Sequence, residues 1–406
     1  MAADSPPLAF QPAGLYPQVS LPNVLLRLLN YHPEKGTCTK SWNDVTVAIL
    51  IAACYVLLRN YLYKHVFPIL ADRWHVPRSP GARSKFAEQT WLLICHSSTF
   101  IVGAILMIGK PYASCLWGKR EGYHYFWIGY PQTHRELDPV FKLFYLTILG
   151  YWLHHCYELV TEGLNRRAFE RAKAQGQTNI PYAHNRSDFW ALALHHAVTV
   201  SLVVVSYFMN WTKGGHVVIV LLDVADIFLP LAKILKYAGH STICDITFAI
   251  FTLSWIVTRH WLLLLVCVTI YSDSLVYIPE GSRHWDPWGE GCFYSMKVYW
   301  LFLGFFGTLQ VLLIYWLAMI VKVVVKVVRG GAAEDIRSDD EDDEDFVLED
   351  NVKQKKPRAP KALGMGQSES KKSASARPKA KRTGSGVELR SGHWDTVKEG
   401  ELRRRR

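Results

Sequence analysis

Two neighbouring apolar stretches decide the fold of this chain. Residues 188–210 read DFWALALHHAVTVSLVVVSYFMN, and residues 216–237 read HVVIVLLDVADIFLPLAKILKY. Each stretch holds about 20 mostly apolar residues, the length of an α-helix that crosses the hydrocarbon core of a bilayer. Because the connection between them is short, the two helices are predicted to form an antiparallel hairpin in the membrane.

Similar apolar stretches recur along the 406 residues of the chain, of which 50% are hydrophobic. Charged residues are concentrated between these stretches and after residue 329. The pattern predicts an all-α polytopic membrane protein with about seven transmembrane helices. The stretch 19–30 is too short to span the bilayer and predicts an interfacial helix. The predicted spans are roughly 45–63, 89–108, 139–160, 189–209, 216–236, 243–271 and 297–328.

Basic residues between the spans predict the orientation of the chain. Lysine and arginine are frequent in the first and third connections and sparse in the fourth and sixth. Since short cytosolic loops carry the excess of basic residues, the N-terminus is predicted to be lumenal and the C-terminus cytosolic. The lumenal segment 109–138 is rich in aromatic residues, which predicts a lid lying at the lipid interface.

This organisation divides the chain into four parts. Residues 1–44 are predicted to be a lumenal N-terminal segment with the interfacial helix, and residues 45–79 the first transmembrane helix with a cytosolic linker. Residues 80–329 are predicted to form a six-helix bundle. Residues 330–406 form a cytosolic tail, acidic and then basic, which is predicted to be disordered because it cannot bury enough apolar surface to fold.

The composition argues against several classes of protein. The formal net charge is +11, but the basic residues lie between spans or in the mixed-sign tail, so nucleic-acid binding is not indicated. The eight cysteines form no C-x-x-C pair, which argues against a zinc site or a disulfide scaffold, and one bridge between Cys115 and Cys292 is left open because both fall in segments predicted to be lumenal. The histidine boxes of membrane di-iron enzymes are missing, since Trp152 and Ala193 stand where a box requires histidine. No metal is therefore predicted.

Ionisable residues inside the predicted hairpin are the strongest functional signal. His195 and His196 lie about two turns from the cytosolic end of one helix, and Asp223 and Asp226 share a face of the next. Such residues are costly inside a membrane and usually face the bundle interior, often for function. Counting outward from the turn places the carboxylates one to two turns in depth from the histidines. We predict that all four share one buried chamber.

Two further groups of polar residues lie inside predicted spans. His154 and His155, with Glu158 one turn further on, form a second histidine pair at a similar depth and compete with the first as the reactive pair. Arg259 lies in the middle of the sixth span and requires an acidic partner or an anionic ligand. Asp226 and a substrate phosphate are the candidates for that partner.

The residues around the hairpin also carry a family resemblance. In chain order they are Arg186-x-Asp188-Phe189, His195-His196-x-x-Thr199, Ser206-Tyr207-x-x-Asn210, Gly215, Leu222-Asp223-x-x-Asp226, Lys233 and Tyr237. This pattern resembles the Lag motif of the ceramide synthases in the TLC-domain family. Residues 85–88 resemble the start of the TLC domain, and residues 335–340 resemble the acidic tail of the same enzymes. The short first connection leaves no room for a homeobox-like insert, so the chain looks like the fungal and plant type.

The resemblance implies an enzyme, an acyl-CoA-dependent sphingosine or sphinganine N-acyltransferase. It would transfer a fatty acyl group to the amine of a long-chain sphingoid base in the endoplasmic reticulum membrane, with residues 80–329 as the TLC domain. Acyl-CoA is then a substrate, and no cofactor is expected. We predict that His195, His196, Asp223 and Asp226 are catalytic. The predicted substrate-binding residues are Arg186, Tyr207, Asn210, Arg259 and His155.

The resemblance also implies binding partners for the protein, and the sequence leaves one alternative function open. The partners expected are acyl-CoA, the sphingoid base and the bilayer, with a homodimer or a small accessory membrane subunit left open. Ser338 precedes acidic residues and is a candidate site for phosphorylation by an acidophilic kinase. The alternative function is a non-catalytic TLC-domain protein that senses lipids or accompanies the translocon.

Overall fold

The computed structural model describes residues 21–175 and 188–329, which are mainly helical. Apolar residues run all along the long helices, as expected for segments that face lipid or other helices on every side. In chain order the helices are α1 (Asn23–Leu28), α2 (Asn43–His65), α3 (Phe67–Arg73), α4 (Pro80–Met107), α5 (Arg120–His124), α6 (Gln132–Arg135), α7 (Pro139–Ala174), α8 (Phe189–Phe208), α9 (Thr212–Tyr237), α10 (Ser241–Tyr277) and α11 (Met296–Val328).

The seven predicted spans correspond to α2, α4 and α7 to α11. Five of these helices, α2, α4, α8, α10 and α11, are long and apolar enough to cross a membrane. This confirms a polytopic helical membrane protein. The helices α7 and α9 are also long enough, but polar residues such as Glu158 in α7 and Asp223 in α9 lower their hydropathy. The seven-span count and the orientation therefore stay predictions.

Local signals in the sequence define several helix ends. The Ser79 hydroxyl accepts a hydrogen bond from the Ala82 amide at the start of α4, and the Ser295 hydroxyl accepts one from Val298 at the start of α11. The turn between α8 and α9 is tight, and Asn210 within it adopts a left-handed φ of 64°. Asparagine tolerates this conformation better than most residues. The predicted antiparallel hairpin of α8 and α9 is thus formed.

Helix α9 lies at the centre of the bundle, where it packs against α4, α8 and α10. Two glycines allow close helix contacts. A Cβ atom at Gly103 of α4 would lie 2.7 Å from the Val220 side chain of α9, and one at Gly150 of α7 would lie 2.6 Å from Ile51 of α2. Small residues let neighbouring backbones approach in a membrane, where helix association depends on packing.

The segment between α4 and α7 covers one end of the bundle. It contains a 3₁₀ turn at Pro111–Trp117 together with α5 and α6. The expectation that its aromatic residues lie at the lipid interface is wrong for most of them. Tyr123, Phe126, Trp127 and Tyr130 are all buried, and only Trp117 among the large aromatic side chains here is strongly exposed, at 80%. The lid packs inward over the bundle.

Two short hairpins flank this end of the bundle. Strand β1 (Tyr31–His32) pairs antiparallel with β2 (Thr37–Cys38), and β3 (Trp285–Asp286) pairs antiparallel with β4 (Cys292–Phe293). The fully buried Lys142 of α7 holds the first hairpin in place. Its ammonium pairs with Asp44 at 2.8 Å and donates to the carbonyl oxygens of Leu29 and Thr39.

Candidate active site

A large cavity lies inside the helical bundle between α7, α8, α9, α10 and α11. About 1110 Å³ of this space is free of protein atoms, including the part that is open to the surroundings. Its walls are mostly apolar with a small number of polar and charged groups, which is the usual make-up of a ligand site. The polar and charged residues that line it include Thr99, Tyr145, Tyr151, His195, Thr199, Ser206, Asp223, Asp226 and Arg259.

His195 faces this cavity and His196 does not line it. Successive residues on a helix point about 100° apart, so one α8 position cannot direct both rings into the same space. The Nδ1 atom of His195 is buried without a hydrogen-bond partner among the described residues. The His196 Nδ1 atom lies 2.8 Å from the Leu192 carbonyl oxygen, to which it donates, and the His196 ring lies beside Trp152 and His155.

The side chain that binds Asp223 is His96 of α4, rather than either member of the predicted pair. The His96 Nδ1 atom lies 2.8 Å from Asp223 Oδ1, and the Thr99 hydroxyl donates to Asp223 Oδ2 at 2.5 Å. The Tyr151 hydroxyl of α7 lies 3.1 Å from the other ring nitrogen of His96. His96 and Tyr151 were missed in the sequence analysis. The sequence did contain a signal for His96, because it is an ionisable residue inside a predicted span.

Asp226 pairs with Arg259, one of the two partners that the sequence left open. The Arg259 Nη2 atom lies 2.6 Å from Asp226 Oδ2 and also donates to the Leu222 carbonyl oxygen. The guanidinium stacks over the Trp255 ring at 4.1 Å. A buried arginine requires such a set of partners because an unpaired charge is very costly in the membrane. Asp223, Asp226 and His195 therefore share one chamber, but each has a different neighbour.

The second histidine pair lies beside the cavity. His154 and His155 are close to Glu158, which forms an ion pair with Arg59 of α2 at 2.6 Å. The His155 ring contacts Tyr151 at a centroid distance of 4.4 Å. The pair is thus connected to the chamber through Tyr151 and His196. A role for His155 in substrate binding stays a prediction.

The structure places Tyr207 and Asn210 at a different site. The Tyr207 hydroxyl donates to Asp44 at 2.8 Å. The Asn210 side chain accepts a hydrogen bond from Lys40 and donates to the Gly291 carbonyl oxygen at 3.1 Å. Neither residue is among those that line the cavity. These contacts instead join the α8–α9 turn to the N-terminal segment and to the second hairpin.

Four predictions concern either residues beyond the described ranges or a pair of cysteines. Arg186 and Ser338 lie outside the described residues, as does the acidic and basic tail. Cys115 and Cys292 are both buried free thiols, so the disulfide bridge that the sequence allowed between them is not formed.

Some of these groups also have the residue types that a metal ion requires. Within residues 21–175 and 188–329, ligand-type atoms come within 4.8 Å of one another in three groups, which are His96 with Asp223 and Asp226, His154 with His155 and Glu158, and His284 with Glu290 and Cys292. In each of the first two groups a carboxylate already pairs with an arginine. The absence of a metal cofactor stays a prediction.

Comparison with known proteins identifies the family. Residues 85–322 match the TLC domain. The chain is 30% identical over 356 residues to a sphingosine N-acyltransferase-like protein of Alternaria alternata, with 80% of this chain and 75% of the relative covered. It is 30% identical over 343 residues to a ceramide synthase of Gibberella moniliformis, with 79% and 73% covered. A sphingosine N-acyltransferase of Schizosaccharomyces pombe is 28% identical over 323 residues, with 80% and 74% covered.

The matched domain spans more than half of the chain, and it includes the helices that build the cavity. The chain therefore belongs to the TLC-domain family, in the group of the ceramide synthases.

Proposed function

We propose that this protein is a ceramide synthase that transfers a fatty acyl group from acyl-CoA to the amine of a long-chain sphingoid base. The observation that carries the proposal is a mostly apolar cavity inside a membrane helical bundle, with His195, Asp223 and Asp226 in its wall. Two long hydrocarbon chains need an apolar space, and amide formation needs a group that handles protons or carries the acyl group.

We assign to His195 the chemistry at the thioester of acyl-CoA. Its ring faces the cavity, and its Nδ1 atom has no partner among the described residues. The neutral imidazole either attacks the thioester to give an acyl-imidazole, which the amine then resolves, or acts as the base for direct attack by the amine. His196 supports this role from behind, since its Nδ1 atom is bound to the Leu192 carbonyl and its ring lies against His195 and Trp152.

Asp226 and Arg259 supply charge in the wall of the same cavity. Their ion pair offers a positive group near the place where negative charge develops on the thioester oxygen during attack. Preorganised charges in a site shielded from water stabilise a transition state strongly. We assign this role to the pair in preference to the phosphate-binding role considered for Arg259, since the guanidinium is already bound to Asp226.

Acyl-CoA is expected to enter from the cytosol, because its CoA portion is polyanionic and soluble in water. Arginines near the end of α7 would contact its phosphates. Arg166 and Arg167 of this set are exposed or partly exposed, and Arg166 is paired with Glu170 at 3.2 Å. Arg186 completes the proposed set. This placement assumes seven spans, a cytosolic C-terminus and residence in the endoplasmic reticulum membrane.

The test uses purified protein with acyl-CoA and dihydrosphingosine. We expect the wild type to form ceramide and His195→Ala to lose activity by a factor of about 10³ or more, since a nucleophile or principal base is removed. His196→Ala should retain more activity than His195→Ala. Intact mass measured before the base is added distinguishes the two routes, because an acyl adduct that His195→Ala lacks requires the two-step route.

The matched control is Ser201→Ala on the same helix, whose hydroxyl is bound to the Ala197 carbonyl and which is not among the residues that line the cavity. It should leave the turnover unchanged. If the correctly folded His195→Ala variant keeps near-full turnover, the assignment of His195 is wrong. If the wild type forms no ceramide but binds the lipids, the alternative of a lipid-sensing protein is favoured.

A further inference from the structure

A row of four hydrogen-bonded side chains lies along the wall of the cavity. In order it consists of Thr99, Asp223, His96 and Tyr151. These residues come from α4, α9 and α7, so three helices are needed to build it. The first three have at most 8% of their surface exposed, and Tyr151 has 3%. Thr99, Asp223 and Tyr151 line the cavity, whereas His96 lies behind them.

The geometry assigns a direction to each hydrogen bond. Asp223 accepts from Thr99 at one oxygen, and its other oxygen accepts from the Nδ1–H group of His96. The Nε2 atom of His96 is then an acceptor, and the Tyr151 hydroxyl donates to it at 3.1 Å. A carboxylate that fixes the tautomer of an imidazole and stabilises its protonated form is the arrangement used beside catalytic histidines.

The proposed reaction has a proton to remove at this place. A sphingoid amine is mostly an ammonium ion near neutral pH, and it must lose a proton before it can attack. In the two-step route His195 carries the acyl group at that moment, so His195 cannot also accept the proton. A second acceptor that reaches the cavity is required.

We propose that Tyr151 and His96 deprotonate the substrate ammonium. This inference rests on the proposed function. The Tyr151 hydroxyl accepts a proton from the ammonium while its own proton passes to His96 Nε2, which leaves a neutral amine and an imidazolium paired with Asp223. The amine then attacks the acyl carbon, and its remaining excess proton goes to the departing group, either the thiolate of CoA or His195. One proton per turnover is left on His96 and later returns to solvent.

Other titratable groups face this row. Asp226 and Arg259 influence His96 from α9 and α10, and Cys95 is next to it in α4. The Tyr151 ring also contacts His155 and Tyr55 at centroid distances of 4.4 and 5.6 Å. The test must therefore distinguish the effect of the hydrogen-bonded row from the effect of the charges around it. A substitution that removes only the Tyr151 hydroxyl makes this distinction.

The decisive experiment is the pH dependence of ceramide formation by Tyr151→Phe. Without the proton acceptor, the enzyme depends on the small fraction of amine that is already neutral, which rises about tenfold per pH unit below the ammonium pKa. We expect kcat/KM for the sphingoid base to fall by a factor of about 10² near pH 7, which is within the usual range for acid–base catalysis. This loss should shrink as the pH rises to about 9. The kcat/KM for acyl-CoA should not change, because in the two-step route the acyl group is already on His195 before the ammonium is deprotonated.

Two further variants complete the design. Tyr145→Phe is the matched control, since the Tyr145 hydroxyl also lines the cavity but is bound to the Ser206 hydroxyl at 2.5 Å rather than to an imidazole. It should not change the shape of the pH profile. His96→Gln can keep hydrogen bonds to Asp223 and Tyr151 but cannot take a proton, so it should reproduce the Tyr151→Phe profile.

Each outcome decides the inference. Recovery of Tyr151→Phe and His96→Gln at alkaline pH, with a normal profile for Tyr145→Phe, supports it. A loss that is equal at every pH, or a pH profile like that of the wild type, overturns it and makes the row structural. If the wild type forms no ceramide at all, the proposed function itself fails, which is a different result.

Discussion

At the scale of single residues, the two aspartates of the chamber are paired with partners from other helices, and His195 is directed at the cavity. Asp223 pairs with His96 and Asp226 with Arg259, while His195 keeps a free ring nitrogen. Removing one member of a buried pair leaves a charge without compensation, which costs far more than removing both. This asymmetry allows the role of a pair in stability to be separated from its role in catalysis.

The pair of Asp226 and Arg259 provides a prediction. Asp226→Leu should destabilise the protein by about 3–5 kcal/mol, because it leaves the buried charge of Arg259 unpaired, whereas Arg259→Met should destabilise it less, because the Asp226 side chain is 30% exposed. The double variant should be more stable than either single one, yet inactive. Thermal unfolding midpoints in detergent measure the first effect, and ceramide formation measures the second. A double variant whose destabilisation equals the sum of the two singles would show that the residues are not coupled.

Lys40, just before α2, provides a prediction about pH. Its burial and, second, the charge of Lys142 lower the pKa of Lys40 to about 7, from 10.5 in the unfolded chain. Between these two values the unfolded chain binds more protons than the folded one, so the free energy of unfolding rises with pH across this window. Lys40→Met should therefore raise the unfolding midpoint relative to the wild type at pH 7, and the difference should shrink as the pH rises towards about 10.

Lys35 is the matched control for this experiment. Its hydrogen bond to Glu136, together with the negative charge of that carboxylate, raises the pKa of Lys35 instead of lowering it. Lys35→Met should show no gain in stability that fades between pH 7 and 10. A constant difference between Lys40→Met and the wild type over this range would contradict the assigned pKa of Lys40.

At the scale of secondary-structure elements, the lid and α10 differ most from what their composition suggests. Aromatic residues of the lid are buried over the cavity, where Phe126 and Trp127 form part of its wall. Arg259 lies in the π-helical stretch Ile256–Leu262 of α10. Such stretches are rare and often mark functional sites, because the extra residue in the turn redirects a side chain.

The lid supplies a prediction about chain length. The Trp127 indole donates to the Thr269 hydroxyl at 3.0 Å and contacts Trp211, so it is held firmly in the cavity wall, far from the α8 histidines along the hairpin. Trp127→Ala should extend the apolar space at that end and shift the ceramide products toward acyl chains that are a few carbons longer. Competition assays with a mixture of acyl-CoA lengths measure the shift. Trp117→Ala, which alters an exposed tryptophan of the same lid, is the control. Unchanged products from Trp127→Ala would place the end of the acyl site elsewhere.

At the scale of the whole molecule, the polar residues of α7 and α9 have partners inside the bundle. Lys142 of α7 pairs with Asp44, Glu158 with Arg59, and the aspartates of α9 with His96 and Arg259. Because these charges are compensated within the protein, low hydropathy does not prevent either helix from crossing the bilayer. This is the physical support for seven spans rather than five.

An odd number of spans predicts that the two termini lie on opposite sides of the membrane. In sealed microsomes, a tag at the C-terminus should be digested by added protease, while a tag at the N-terminus should be protected until detergent is added. A lumenal resident protein serves as the control for sealed vesicles. Protection of the C-terminal tag, or digestion of both tags, would contradict the proposed topology.

The sequence by itself determined the class of the protein, the approximate positions of its long helices, the α8–α9 hairpin and three of the four chamber residues predicted on that hairpin, namely His195, Asp223 and Asp226. These features depend on apolar length, helix periodicity and a short turn, all of which are local along the chain. The tertiary structure alone decided that Asp223 binds His96, that Asp226 rather than a ligand neutralises Arg259, that His196 turns away from the cavity, and that Tyr207 and Asn210 lie elsewhere. Partners of buried charges come from helices distant in sequence, and packing, not spacing, chooses among them.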